Sequence, residues 1–139
     1  MNNESQRRPH PETEANLAQD LVDLINTAIT PTAGIRLAAL YNERGAAAIA
    51  FTRLPDSNIE DEHLREAFES SYLASYPDRE SFIASQLDSQ DWAESTARHI
   101  EAEGIPVEFL VWDHDAIWRR LNDMYDVVEY GGHIHVFWP

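Results

Sequence analysis

The chain has 139 residues, no cysteine, and 25 Asp plus Glu against 10 Lys plus Arg, giving a formal net charge of -15. This length fits one domain or two very small ones, and the missing cysteines exclude a disulfide frame, a thiolate metal site and a Cys nucleophile. A field of this sign repels nucleic acid and anionic membrane and attracts basic protein surfaces.

All ten basic residues are arginine. Residues 1–53 carry six acids and five Arg, while residues 54–139 carry nineteen and five, so nearly all the net charge lies in the second part. General solubility, or adaptation to a salty cytoplasm, is the plain explanation of such a surface. The apolar fraction of 43%, with four Trp, five Tyr and five Phe, is sufficient for a packed core and unlike a disordered acidic tail. No apolar run approaches the ~20 residues of a membrane span. The stretch from Met1 to Glu14 lacks the apolar centre of a signal peptide. The expectation is a soluble, cytoplasmic protein with no membrane partner.

Residues 1–11 are polar and read as a disordered tail. Residues 12–54 read as a helix plus a β-hairpin. Leu17, Leu21, Leu24, Ile25, Ala28 and Ile29 give an amphipathic helix over Glu12–Thr30, with Pro31 at its end. Ile35–Tyr41 and Ala46–Leu54 read as strands around an Asn42–Gly45 turn, although the many alanines favour helix. Gly45–Phe51 echoes Gly131–Phe137, which suggests two similar strands.

Residues 55–104 read as an acidic helical segment, opened by a loop at Pro55–Asn58. Leu64, Phe68, Ser71, Tyr72 and Ser75 share one face of a helix over Asp61–Ser75, while Glu62, Glu66 and Glu69 share another. Pro77 ends it, and Asp78 caps a second helix over Arg79–Leu87 with Phe82 in the core. A third helix over Asp91–Glu103 stops at Gly104.

Residues 105–139 read as a small α+β unit. Val107–Trp112 alternates as a strand, and Asp113 caps a helix to about Tyr125 with Ile117 and Leu121 facing inward. Asp126–Tyr130 and His133–Trp138 form a hairpin about Gly131-Gly132, a pair suited to the primed turns. The fold class is α+β, either in these segments or as one compact domain.

Catalytic signals are sparse. Ser70, Ser71, Ser81 and Ser85 fall on helices, and there is no Gly-x-Ser-x-Gly elbow or phosphate-binding glycine loop. No cofactor is implied. In a strand, His133 and His135 would point to the same face, as a metal site requires, and the stretch Trp112-Asp113-His114-Asp115 could add a third ligand. Cross-strand packing explains the two histidines equally well, so no metal ligand is assigned.

The carboxylates are more informative as a group. Glu62, Glu66 and Glu69 stand about 6 Å apart per helical turn. Asp78, Glu80, Asp88, Asp91, Glu94, Glu101 and Glu103 continue the charge over the next helices. DNA carries roughly one charge per 1.7 Å of axis, which acidic helices can imitate. These ten residues are the candidate partner-binding set. Glu94, Arg98 and Glu101 also read as ordinary surface pairing.

Phe68-Glu69-x-x-Tyr72-x-Ala74-x-Tyr76, followed by Phe82, resembles the central motif of ArdA antirestriction proteins. Trp112–Leu121, Asp126–Glu129 and Gly132–Phe137 resemble that family's last domain. The likeness spans roughly Leu64–Phe137, with Ala74 where the family has glycine. It implies an acidic homodimer that mimics bent DNA and occupies the DNA-binding surface of a type I restriction–modification enzyme, without catalysis and without binding DNA itself. An acidic interaction module for another basic, nucleic-acid-binding protein is the alternative. A small metal-dependent enzyme at His133 and His135 is the third reading.

Overall fold

The computed structural model describes the backbone of residues 11–139 and the side chains from residue 16 onward. The tail expected over residues 1–11 lies outside the described residues except for Pro11, the first residue of α1. The class is α+β as expected, but several elements differ from the sequence reading.

Helix α1 runs over Pro11–Thr27. Thr30 then caps α2, Pro31–Arg44, by accepting from the Ala33 N–H at 3.2 Å. Pro31 therefore opens a helix as well as marking the end of one, because its fixed φ and missing N–H suit the first helical position. The expected hairpin over 35–54 is a second pair of helices, α2 and α3 (Ala46–Thr52), separated by Gly45 at φ 60°. Ala33, Leu37 and Leu40 bury the inner face of α2 at helical spacing, while Ile35 is 69% exposed. The alanines decide the outcome: they favour helix, and their small size lets α3 sink until Ala47–Phe51 are all buried.

Helix α4, Leu64–Ser71, is shorter than expected. It buries Leu64 and Phe68, then gives way to strand β1 at Tyr72–Tyr76. The helical stripe continues on paper to Ser75, but pairing with the last strand takes over. The Trp138 N–H donates to Ser71 O at 2.7 Å and extends that ladder. Helix α5, Arg79–Ser89, is capped by Asp78, whose side chain accepts from the Ser81 N–H at 2.8 Å. Helix α6, Trp92–Ala102, closes at Gly104, φ 72°. Ile105 N–H reaches Ile100 O and Gly104 N–H reaches Glu101 O, the paired bonds of a Schellman end.

Val107–Trp112 is not a strand. It forms one 3-10 turn at Val107–Phe109 and then runs on unpaired. Asp113 caps α7, His114–Met124, by accepting from the Ala116 N–H at 3.0 Å. Strands β2, Asp126–Tyr130, and β3, His133–Phe137, form the expected hairpin. Gly131 and Gly132 both have positive φ, as the tight primed turn demands. Gly45–Phe51 and Gly131–Phe137, similar in sequence, are thus a helix and a strand.

The sheet is antiparallel with order β1-β3-β2, so β3 is central. Each face covers one core. His133, His135 and Phe137 look toward α1–α4, where Phe137 joins Leu37, Leu40, Phe51, Leu64 and Phe68. Ile134 and Val136 look toward α5 and α7, where they meet Phe82, Ile83, Leu121 and Tyr125. Each fully buried side chain of this size contributes roughly 1.5–3 kcal/mol. Residues from the segments 55–104 and 105–139 share this one sheet.

Candidate partner-binding surface

Nine of the ten singled-out carboxylates are exposed, and Asp78 is half-buried. They do not form one stripe. Glu62, Glu66 and Glu69 belong to the layer on one face of the sheet, with Glu62 just before α4. The other seven belong to the α5–α6 layer on the opposite face.

Several have local roles. Asp78 is a helix cap. Glu69 accepts from Arg44 Nη2 at 3.0 Å, and that guanidinium lies 5.4 Å from the centre of the Phe68 ring. Glu80 meets His114 Nδ1 at 2.5 Å, and Glu62 lies 3.5 Å from His63 Nε2. Arg98 holds Glu94 at 2.5 Å, the expected i,i+4 pair, and Asp91 at 3.5 Å. Asp91 itself sits in the left-handed region at φ 62°.

Glu66, Asp88, Glu101 and Glu103 have no cation partner among the described residues. Three of them sit at helix C-terminal ends: Asp88 in the last turn of α5, Glu101 and Glu103 at the end of α6. The helix dipole favours cations there, by ~0.3–1 kcal/mol per exposed charge. These acids therefore oppose the stability of their own helices.

Other carboxylates hold the fold. Glu60 accepts from the Ile29 N–H at 2.6 Å and the Thr30 hydroxyl at 3.0 Å, which ties the loop before α4 to the α1–α2 corner. The Ile29 hydrogen bond holds the Glu60 carboxyl below its usual range. Glu43 pairs with Arg65, and Glu129 takes both Arg79 Nε and Nη2, at 3.0 and 3.1 Å.

The two strand histidines share a face, as their spacing predicts, with ring centres 6.2 Å apart. His114 does not join them, because α7 lies against the opposite face of the sheet. Among the described residues no group of three His, Cys, Asp or Glu is placed to hold a metal ion. His135 is buried and fully hydrogen-bonded. Its Nε2–H donates to Tyr130 O at 2.9 Å, so in the neutral ring Nδ1 accepts from the Ser75 hydroxyl at 2.7 Å. Burial, more than any other cause, pushes its pKa down.

The last strand leaves little apolar surface open, because β3 is central and Val136 and Phe137 are buried. Only Trp138 remains half-exposed, against the Tyr125 ring at 5.5 Å. The unpaired segment after α6 is open instead: Val107 is 66% exposed, Phe109 71% and Val111 92%, with Ile105, Leu110 and Trp112 beside them. A groove of about 250 Å³ separates part of it from α6 at Ala97 and Ile100. The apolar alternation of 107–112 was visible in the sequence; its lack of a pairing partner was not.

Among the described residues no helix is long and apolar enough to cross a membrane. Compared with models of known families, with curated proteins and with solved structures, the chain gives no match.

Proposed function

We propose that this chain is a decoy for DNA: an acidic cytoplasmic protein that occupies the DNA-binding surface of a type I restriction–modification enzyme, as the resemblance to ArdA implies. One observation carries the reading. Asp88, Glu101 and Glu103 stand at helix ends that disfavour negative charge, without cation partners among the described residues. Charge placed against local stability is better accounted for by an external cationic partner than by the fold. Phe68, Tyr72, Tyr76 and Phe82, the aromatic residues of the family-like motif, serve as the packed support. In this reading the mechanism is competition, not catalysis, and the protein itself does not bind nucleic acid.

The open segment 105–112 supports the second part of the reading, a homodimer. Its six exposed apolar side chains offer on the order of 600 Å² per chain, near the ~800 Å² per partner of a standard interface. An area of about 600 Å² is at the upper end of the largest apolar patch on a typical monomer. The same patch also suits an interaction module that binds another basic protein, the alternative function.

The test is competition between this protein and duplex DNA for a type I restriction–modification complex, across a salt series. Mutual exclusion that weakens as salt rises fits the decoy. Binding that coexists with DNA, or is unchanged at high salt, removes mimicry and leaves the interaction module.

A further inference from the structure

Three polar side chains form a directed chain on the sheet face toward α1–α4. His135 Nε2–H is committed to Tyr130 O at 2.9 Å, which fixes the neutral tautomer with a free lone pair on Nδ1. Ser75 Oγ lies 2.7 Å from that Nδ1 and donates to it. Tyr72 Oη lies 2.8 Å from Ser75 Oγ on the other side and donates in turn. Ser75 and His135 are neighbours only through strand pairing, Ser75 opposite His135 in the β1–β3 register. A hydroxyl bonded to an imidazole that is itself oriented by a third group is the arrangement of an activated nucleophile. Burial keeps the imidazole in its free-base form near neutral pH, the state a general base needs.

The chain is not sealed. Tyr72, Ser75 and His135 all line an open cavity of about 350 Å³, together with Leu17, Tyr41, Arg44, Ala46 and His133. That volume suits a small organic molecule. Leu17, Ala46 and Ala47 give the lining an apolar part, and Arg44 is already engaged by Glu69. The net charge of -15 repels anions. The cavity therefore favours an uncharged ligand with a short apolar group.

We propose that Ser75 and His135 form a nucleophile–base pair that takes acyl groups from small neutral carboxylic esters. Ser75 Oγ bonds to the acyl carbon as its proton passes to His135 Nδ1. The ester C–O bond breaks, and the leaving alkoxide takes that proton and departs as the alcohol. Water then gives a proton to His135 Nδ1 and attacks the acyl-serine. The acyl–Oγ bond breaks, Ser75 recovers the proton, and a carboxylic acid leaves. Tyr72 is a positioning residue that holds the Ser75 hydroxyl toward His135. This activity uses none of the decoy carboxylates directly, although Glu69 holds Arg44 on the cavity wall.

The test uses the full chain with p-nitrophenyl acetate near pH 7.5. The expected result is a burst of about one p-nitrophenolate per chain, with an acetyl adduct mapped by peptide mass spectrometry to Ser75. Ser75→Ala should abolish the adduct. His135→Gln should slow its formation on the order of 100-fold, with circular dichroism confirming the fold. If His135→Gln does not fold, the wild-type pH profile serves instead: the rate should hold through neutral pH and fall only below the ordinary histidine range. Tyr72→Phe should slow acylation without removing it. No adduct on the folded wild-type chain, an adduct at another residue, or a Ser75 adduct whose rate ignores both His135→Gln and acid would overturn the proposal.

Discussion

Tyr72 and Tyr76, four residues apart on β1, look to opposite faces of the sheet. Tyr72 stacks on Phe68 with ring centres 4.8 Å apart, in the core beneath α1–α4. Tyr76 stacks on Phe82 at 5.0 Å, in the core beneath α5 and α7. A regular strand would point both the same way. The irregularity between Tyr72 and Ala74 leaves Leu73 as an extra residue, and that bulge turns the strand over.

Inserting one alanine between Ala74 and Ser75 should therefore be far worse than Leu73→Ala. The insertion must drive one tyrosine out of its core or shift the whole register, at a cost above about 3 kcal/mol. Leu73 is itself exposed, so its truncation to alanine should cost under about 1 kcal/mol. Urea denaturation of the two variants checks the contrast.

Phe68→Ala should destabilise the fold by roughly 3–5 kcal/mol. Phe68 is fully buried and meets Phe51, Tyr72 and Phe137 at ring-centre distances of 5.5, 4.8 and 6.1 Å. Any loss of partner binding should track the folded fraction measured by circular dichroism.

Glu66, Asp88, Glu101 and Glu103, neutralised together to Gln or Asn, should leave the melting temperature unchanged or raised. Removing Asp88 and Glu101 relieves an unfavourable helix-end charge, and no ion pair among the described residues is lost. Binding to the proposed target, a type I restriction–modification complex, should fall and lose much of its salt dependence. Each single change should contribute only ~0.2–1 kcal/mol. Calorimetric titration at two salt concentrations measures both effects.

Val111→Asp should convert a dimer into a monomer with unaltered unfolding. Val111 is 92% exposed, so the folded chain loses no packing, while a paired copy would bury the new charge. Sedimentation at micromolar concentration reads the mass. A wild-type monomer under those conditions would dismiss the homodimer.

Stability should fall as pH drops below about 6.5. The folded protein holds His135 neutral, with a pKa below the ordinary histidine value. Between the two values the unfolded chain binds a proton that the folded chain refuses, so acid favours unfolding in that window. Above 6.5 this residue contributes no slope. The carboxyl groups of Glu43 and Glu60 are also lowered, by the Arg65 side chain and the Ile29 N–H respectively, so their contributions are lost only below the usual carboxylate range. Denaturation at pH 7.5, 6.5 and 5.5 should show the loss, and His135→Gln should remove its slope.

Local signals were legible where local chemistry decides. Asp78 and Asp113 cap helices, Gly104 ends one, and Gly131-Gly132 turns a hairpin, all as their sequence contexts indicate. The errors fall where a distant partner decides. Tyr72–Tyr76 leaves its helical period because β3 offers a ladder, and Val107–Trp112 alternates like a strand but has nothing to pair with. Residues 35–54 differ for a local reason: the helix preference of their alanines prevails over the hairpin that the Asn42–Gly45 turn suggests. The exposed carboxylates and the Glu94–Arg98 pair could be read from spacing alone. The Ser75–His135 contact could not, since its members are sixty positions apart.

The central place of β3 sets an order in time. Its β2 edge is joined by a two-residue turn, so that hairpin can close within microseconds. Its β1 edge must wait for a loop of about sixty residues to close, and Phe137 cannot enter its core until that happens. Helices α1–α4 can gather early, yet their core stays open to solvent until the hairpin docks. Refolding should show a slow final step that seals the cores on both sides of the sheet together, and a chain stalled before it exposes a strand edge to its neighbours.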